Sequence, residues 1–285
     1  MSNAVHTYPP PTGPRPPATE SRWPRWLVVA TVLWAVLLAG LTWISAADDP
    51  PTVREQRTLT QAGLVVDAAV GELVAAAGDG VLALTPPDLD RGCRISPLAD
   101  GATLTRAVDL AAPVGEEQAL LERVADRLPA RWRAGVRLTP DGFRLRGDAG
   151  EFVTVTGRPA TDGRIWVTVD TGCRPVGDDY DPARPGPAGP EVGVLAEALR
   201  ALGGRVDDPE SVVSAPCPGG GAARTVRSVV DRVATEPHAA LAPLAGGTPV
   251  VDTPDVYGYR RDGVAVLADV QPEQVVVSAT TGCTG

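Results

Sequence analysis

The chain has 285 residues, enough for one large domain or two small ones. Hydrophobic residues make up 44% and charged residues 21%, which makes a packed core available and argues against wholesale disorder. All 26 basic residues are Arg, and 35 acidic residues bring the net charge to −9, which argues against a nucleic-acid binder in general because phosphate binding needs a basic face.

Residues 1–25 carry prolines at Pro9, Pro10, Pro11, Pro14, Pro16, Pro17 and Pro24. Such a stretch predicts a disordered tail of extended polyproline type. Its Pro11-x-x-Pro14 and Pro14-x-x-Pro17 spacings could dock an aromatic groove, but a solvated tail with basic anchor residues is the favoured reading.

Residues 26–47 follow without a single charge. A helix of that length covers ~30 Å, the thickness of bilayer hydrocarbon, and only a helix satisfies its own backbone in lipid. Trp23, Trp26 and Trp43 stand near its ends, where interfacial aromatics belong. The segment is read as a transmembrane helix whose partner is the lipid bilayer. Arg15, Arg22 and Arg25 precede it and Asp48 and Asp49 follow, so the tail is expected in the cytoplasm and the C-terminal region outside the cell membrane. Ser45-Ala46-Ala47 fits a signal-peptidase site, the competing reading. The apolar run exceeds the ~7–15 residues of a signal sequence, which favours an uncleaved single-pass anchor.

Beyond the anchor, apolar residues recur at helical steps in Leu59, Ala62, Val66, Val70, Leu73, Val74 and Ala77, predicting a helix within 53–77. Pro50 and Pro51 should separate it from the anchor. Residues 116–128 predict a second helix through Leu120, Leu121, Val124 and Leu128. Strand alternation marks 135–138, 143–146 and 152–156, and Asp162-Gly163 predicts a hairpin leading into Ile165. Residues 174–190, rich in proline, read as a linker. A helix is expected from Pro190 to the Gly203-Gly204 stop, and a weaker one over 236–244, confined by Pro237 and Pro243.

The two halves of this region echo one another. Thr139-Pro140-Asp141 leads to Thr171-Gly172-Cys173, and Thr253-Pro254-Asp255 leads to Thr281-Gly282-Cys283. Shared motifs in one order predict a duplication. The expected fold is α+β: one N-terminal transmembrane helix, then two similar modules with helices packed on antiparallel sheets. Its parts are a tail (1–25), the helix (26–47), a first extracytoplasmic module (48–174), a Pro-rich linker (175–189) and a second module (190–285). Four cysteines, Cys93, Cys173, Cys217 and Cys283, all follow the anchor, where disulfides persist. The repeat predicts the pairs Cys93–Cys173 and Cys217–Cys283 among three possible pairings.

The chemistry-bearing residues are few. His238 is the one histidine beyond the anchor, and no G-x-S-x-G elbow supplies a nucleophile for it. With no Lys, Schiff-base chemistry is out. Asp178, Asp179 and Asp181, and Asp88 and Asp90, lack calcium-loop spacing. Pro218-Gly219-Gly220-Gly221 lacks the Lys of a phosphate loop and reads as a turn. No catalytic residue, cofactor site or metal site is therefore expected.

The layout, with Cys93-Arg94-Ile95-Ser96 and Thr171-Gly172-Cys173 as its specific motifs, resembles single-pass envelope proteins of high-GC Gram-positive, actinobacterial type with no assigned activity. The resemblance implies a cell-envelope location and brings no functional residue with it. The function expected is that of a membrane-anchored, non-catalytic extracytoplasmic binding or interaction protein, with an envelope ligand or protein as partner and no nucleic acid. The alternatives are a cell-envelope hydrolase using acidic residues and a structural subunit of a membrane complex.

Overall fold

The structure, a computed structural model, describes residues 24–48, 58–96, 99–176, 187–205, 209–231 and 236–283. The tail up to residue 23, Pro50 and Pro51, Asp178, Asp179 and Asp181, and most of the expected linker lie outside the described residues. The chain divides into two compact units, Met1–Thr52 and Val53–Gly285.

The first unit contains α1 (Arg25–Asp48), one apolar helix of 24 residues. Its apolar side chains are exposed on every side, including Trp26, Leu33, Trp34, Val36, Leu41 and Trp43. Its two threonines turn inward on their own helix: Thr31 Oγ1 donates to Leu27 O at 2.8 Å and Thr42 Oγ1 to Leu38 O at 2.7 Å. Such i−4 bonds leave no hydroxyl seeking water.

The second unit is α+β, with two antiparallel sheets. Helix α2 (Leu59–Ala77) opens it. Gln61 Oε1 accepts the N–H of Thr58 at 3.2 Å, and Pro175 O accepts that of Leu59 at 2.9 Å, so donors at the helix start are satisfied. Gly78, with φ +59°, ends it. Like α1, the helix is long and apolar enough to cross a membrane, but 61% of its span is buried.

Strands β1 (Val81–Leu84) and β2 (Asp88–Ser96) lie one after the other along β3 (Ala99–Ala111), separated where Pro86 and Pro87 withhold backbone donors. Neither strand is legible from periodicity. β1 is short and buried throughout, and β2 is a charged, mostly exposed edge. Helix α3 (Glu117–Arg127) and a 3-10 turn (Ala130–Trp132) precede β4 (Gly135–Thr139), β5 (Gly142–Gly150), β6 (Val153–Pro159) and β7 (Arg164–Asp170). The meander pairs in sequence, and β7 closes against β3. Leu145, Val153, Val155, Val167 and Val169 point to the helices and form the first core with Val66, Val70, Leu73, Leu121 and Val124.

The second half has the same order: α4 (Pro190–Ala201), β8 (Ser211–Pro216), β9 (Ala222–Asp231), α5 (Pro237–Ala245), β10 (Val251–Asp252), β11 (Val256–Arg261), β12 (Val264–Val270) and β13 (Gln274–Thr281). Its sheet runs β8-β9-β13-β12-β11-β10, strand for strand the order β2-β3-β7-β6-β5-β4 of the first. The two Thr-Pro-Asp motifs both lie between the first two strands of a meander, and both Thr-Gly-Cys motifs end at the cysteine after its last strand. Pro190 stands at the first turn of α4, as expected, and α5 forms despite Pro243.

Cys93 of β2 is bonded to Cys173 and Cys217 to Cys283, over separations of 80 and 66 residues, one bridge in each half. Arg174, placed by its sequence at the start of a linker, is instead fully buried. Its backbone bridges Ala102, its Nε donates to Thr171 O at 2.7 Å and its Nη2 to Glu151 O.

Candidate functional site

The two halves do not stand apart, and most of the unit's buried charge lies where they meet. Strand β1 has period-two faces. Leu82 and Leu84 enter the first core, while Val81 and Ala83 pack with Val251, Val256 and Leu267 of the second sheet. The free edge of β1 is satisfied by side chains: Leu84 N donates to Thr225 Oγ1 at 2.9 Å, and that hydroxyl meets Thr280 Oγ1 at 2.8 Å. Arg260 Nη1 donates to Gly80 O at 3.0 Å.

Two arginines, Arg106 buried and Arg164 half-buried, cross this seam. Arg106 of β3 is ion-paired with Asp67 of α2, and its Nη2 donates to Ser214 O of β8 at 2.8 Å. Arg164 of β7 holds Asp109 of β3 through Nε and Nη2, and its Nη1 reaches Asp269 Oδ2 of β12 at 3.1 Å. Burial raises the Asp109 carboxyl above its ordinary range, and the Arg164 hydrogen bond opposes that shift. Burial alone would lower Arg164, but its two carboxylates outweigh that and hold its pKa raised. Arg227 of β9, whose Nε donates to Ser278 Oγ at 3.1 Å, is lowered by burial. Arg106 and Arg164 thus tie the two halves together through the Ser214 carbonyl and the Asp269 carboxylate, while Arg106 Nε is buried without a hydrogen-bond partner among the described residues.

His238 is engaged at both ring nitrogens. Nδ1 lies 2.8 Å from Asp252 Oδ1 and Nε2 lies 3.4 Å from Pro254 O, with the Tyr257 ring edge-on at 5.3 Å. A general base needs one nitrogen aimed at a reacting group, and here both are committed to neighbouring backbone and carboxylate. Among the described residues no group of three or more His, Cys, Asp or Glu could hold a metal ion. Asp90 caps the N–H of Gly92 at 2.8 Å, a local turn contact. Pro218 to Gly221 forms a turn closed by Gly220 N to Cys217 O at 3.0 Å, with Gly220 and Gly221 at positive φ.

Two of the concavities among the described residues bear on function. A groove of about 350 Å³ runs beside α2, lined by Leu64, Ala68, Glu72, Arg131, Trp132 and Ala149. Its one carboxylate, Glu72, lies 3.8 Å from Arg131. A broader depression is lined by Asp231, Pro237, Val270, Gln271 and Glu273, and both of its carboxylates are exposed.

Sequence reasoning missed the ion pairs of the seam. Asp109 sits in the apolar run Val108–Leu110 and Arg164 follows the Asp162-Gly163 turn, which were signals of a buried pair, but the partner Asp269 is over a hundred residues away and only the packing of the halves supplies it. No known family model matches the chain, and no curated protein matches it at a significant level.

Proposed function

We propose that the chain is a single-pass membrane protein whose 53–285 region is displayed outside the cell membrane as a non-catalytic binding or interaction protein, built from two similar α+β modules that arose by duplication. The observation that carries this reading is the two disulfides in the unit that follows an apolar helix. Disulfides persist outside the cytoplasm, and a helix apolar on all sides suits lipid. The arginines before the helix and aspartates after it favour a cytoplasmic N-terminus. The shared strand order of the two sheets supports duplication. The seam then represents two modules joined by ion pairs, and the binding role rests on the stable surfaces this joining gives.

Protease added to intact spheroplasts tests the reading. The 53–285 region is expected to be digested, with the tail protected and the protein retained in the membrane fraction. Protection of the C-terminal region, or a soluble mature protein beginning at Asp48, would overturn it.

A further inference from the structure

The two sheets share a topology but expose different surfaces. In the second sheet, the face turned from its helices carries Val256, Ala265, Leu267, Thr225 and Thr280, all buried against the first half. In the first sheet the corresponding face is open over β4, β5 and β6. Arg137, Arg146 and Arg158, with Thr154 and Thr156, are exposed there.

Register brings the arginines together. Arg137 of β4 pairs directly with Arg144 of β5. The Leu145–Gly157 and Arg146–Thr156 pairs set Arg144 beside Arg158 of β6, which in turn pairs with Trp166 of β7. Three arginines, the central one half-buried, thus occupy laterally adjacent positions on three neighbouring strands, ~5 Å apart per strand, with Arg146 in the next row. Arg144 approaches Asp141 only at 3.9 Å. Among the described residues Arg137, Arg146 and Arg158 enter no ion pair, and Asp148, whose Oδ1 accepts the N–H of Gly150, is the acid nearest Arg146 along the strand. Like charges directly opposite in a sheet are destabilising. A chain of net charge −9 has acids to spare for neutralising them, yet places four arginines together. Conflict of this kind between local stability and sequence choice marks functional surfaces.

We propose that this face binds a linear, base-free chain of phosphate groups, lying across β4, β5 and β6 with the Arg137–Arg144–Arg158 ladder on its oxyanions. Guanidinium forks match phosphate oxygens in pairs, and a polyanion neutralises successive arginines at once. A bilayer is disfavoured as occupant: the large exposed apolar residues of the unit, Leu64, Val114, Leu138 and Phe152, are absent from the ladder, so nothing there would insert between lipids. Single-stranded nucleic acid is disfavoured because the one aromatic ring in the row, Trp166, is half-buried with Arg164 stacked on it at 5.2 Å and offers no free stacking platform. The proposal names a ligand class for the binding role above and rests on that reading for its compartment alone.

The full chain in non-ionic detergent, titrated with inorganic polyphosphate, tests it. Binding is expected, with orthophosphate far weaker. The triple variant R137Q/R144Q/R158Q should weaken polyphosphate binding by about tenfold or more and flatten its log K against log salt slope by about 3. Arg123→Gln, on the helix side of the sheet, should leave it unchanged. The unliganded triple variant should melt at or above the parent temperature, since it removes repulsion; Arg158→Gln alone, an exposed single change, should also weaken binding measurably. No polyphosphate binding, undiminished binding in the folded variants, equal loss in Arg123→Gln, or tighter binding to an oligonucleotide or to phosphatidylglycerol vesicles would each overturn the proposal. Protease protection of the 53–285 region would overturn the location and leave this result standing, whereas a correctly displayed protein that ignores polyphosphate would overturn this proposal alone.

Discussion

Gly71 of α2 and Pro216 of β8 meet backbone to backbone: a Cβ at Gly71 would lie 1.7 Å from the Pro216 carbonyl oxygen. Cys283 Sγ lies 3.7 Å from the Gly71 carbonyl, so the second half's disulfide also rests on this turn of the first half's helix. The contact is made to backbone, which cannot rotate away. Gly71→Ala is therefore expected to destabilise by about 3 kcal/mol or more, although alanine is the better helix former. Gly193→Ala, at an exposed position of α4 with nothing near its Cβ, should instead stabilise by up to about 1 kcal/mol. Urea unfolding of the two variants checks both signs; a neutral Gly71→Ala would show that the halves can move apart.

Arg164→Met should be severe. It leaves Asp109, 2% exposed, without its partner, and an uncompensated buried charge costs about 3–5 kcal/mol. Because the Asp109 carboxyl is already raised in the fold, its penalty falls when it takes up a proton. The deficit of Arg164→Met should therefore be largest near neutral pH and shrink as pH falls through the raised folded-state value. Adding Asp109→Asn should recover part of the loss at neutral pH and abolish that pH dependence. Thermal melts across the acidic range decide this, and a pH-independent deficit would count against it.

Tyr259 is 1% exposed and its hydroxyl has no hydrogen-bond partner among the described residues. Burial pushes its phenol up to about 12 from 10.0. With the folded pKa above the unfolded one, stability is fully present below pH 10 and is lost as pH rises from 10 toward 12, by about 3 kcal/mol in all. Tyr259→Phe should flatten that alkaline limb. It should not destabilise at neutral pH, because it removes a buried unsatisfied hydroxyl. Chemical unfolding of both proteins between pH 8 and pH 11 provides the measurement.

The disulfides should act unequally. Each closes a long loop, worth ~4 kcal/mol in the chain-entropy picture. Cys217 and Cys283 also pack against the first core, whereas Cys93 lies on the exposed edge strand β2. Replacing Cys217 and Cys283 together by Ser should loosen both halves, visible as faster amide exchange in α2 as well as in the second sheet. The matching change at Cys93 and Cys173 should leave exchange in the second sheet near parent levels. Exchange mapped by mass spectrometry separates these outcomes.

What the sequence determined is local. Period-3.6 apolar spacing marks α2, α3 and α4, because a helix must bury one stripe. Alternation marks β5 and β6, and Asp162-Gly163 marks the hairpin into β7. The repeated Thr-Pro-Asp and Thr-Gly-Cys motifs pointed to one disulfide per half, since like positions in like topologies meet like partners. Four residues of apolar sequence in β1, and the charged residues of β2, carried no such period and stayed unread. The tertiary structure alone decided how the halves meet. It turned β1 into a shared strand, drew Arg174 out of the expected linker into the core, and placed Asp269 against Arg164. It also buried one sheet's outer face and left the other's arginines open. Those outcomes depend on registers and on contacts between residues of different elements, and no local pattern encodes which of two equivalent faces water will reach.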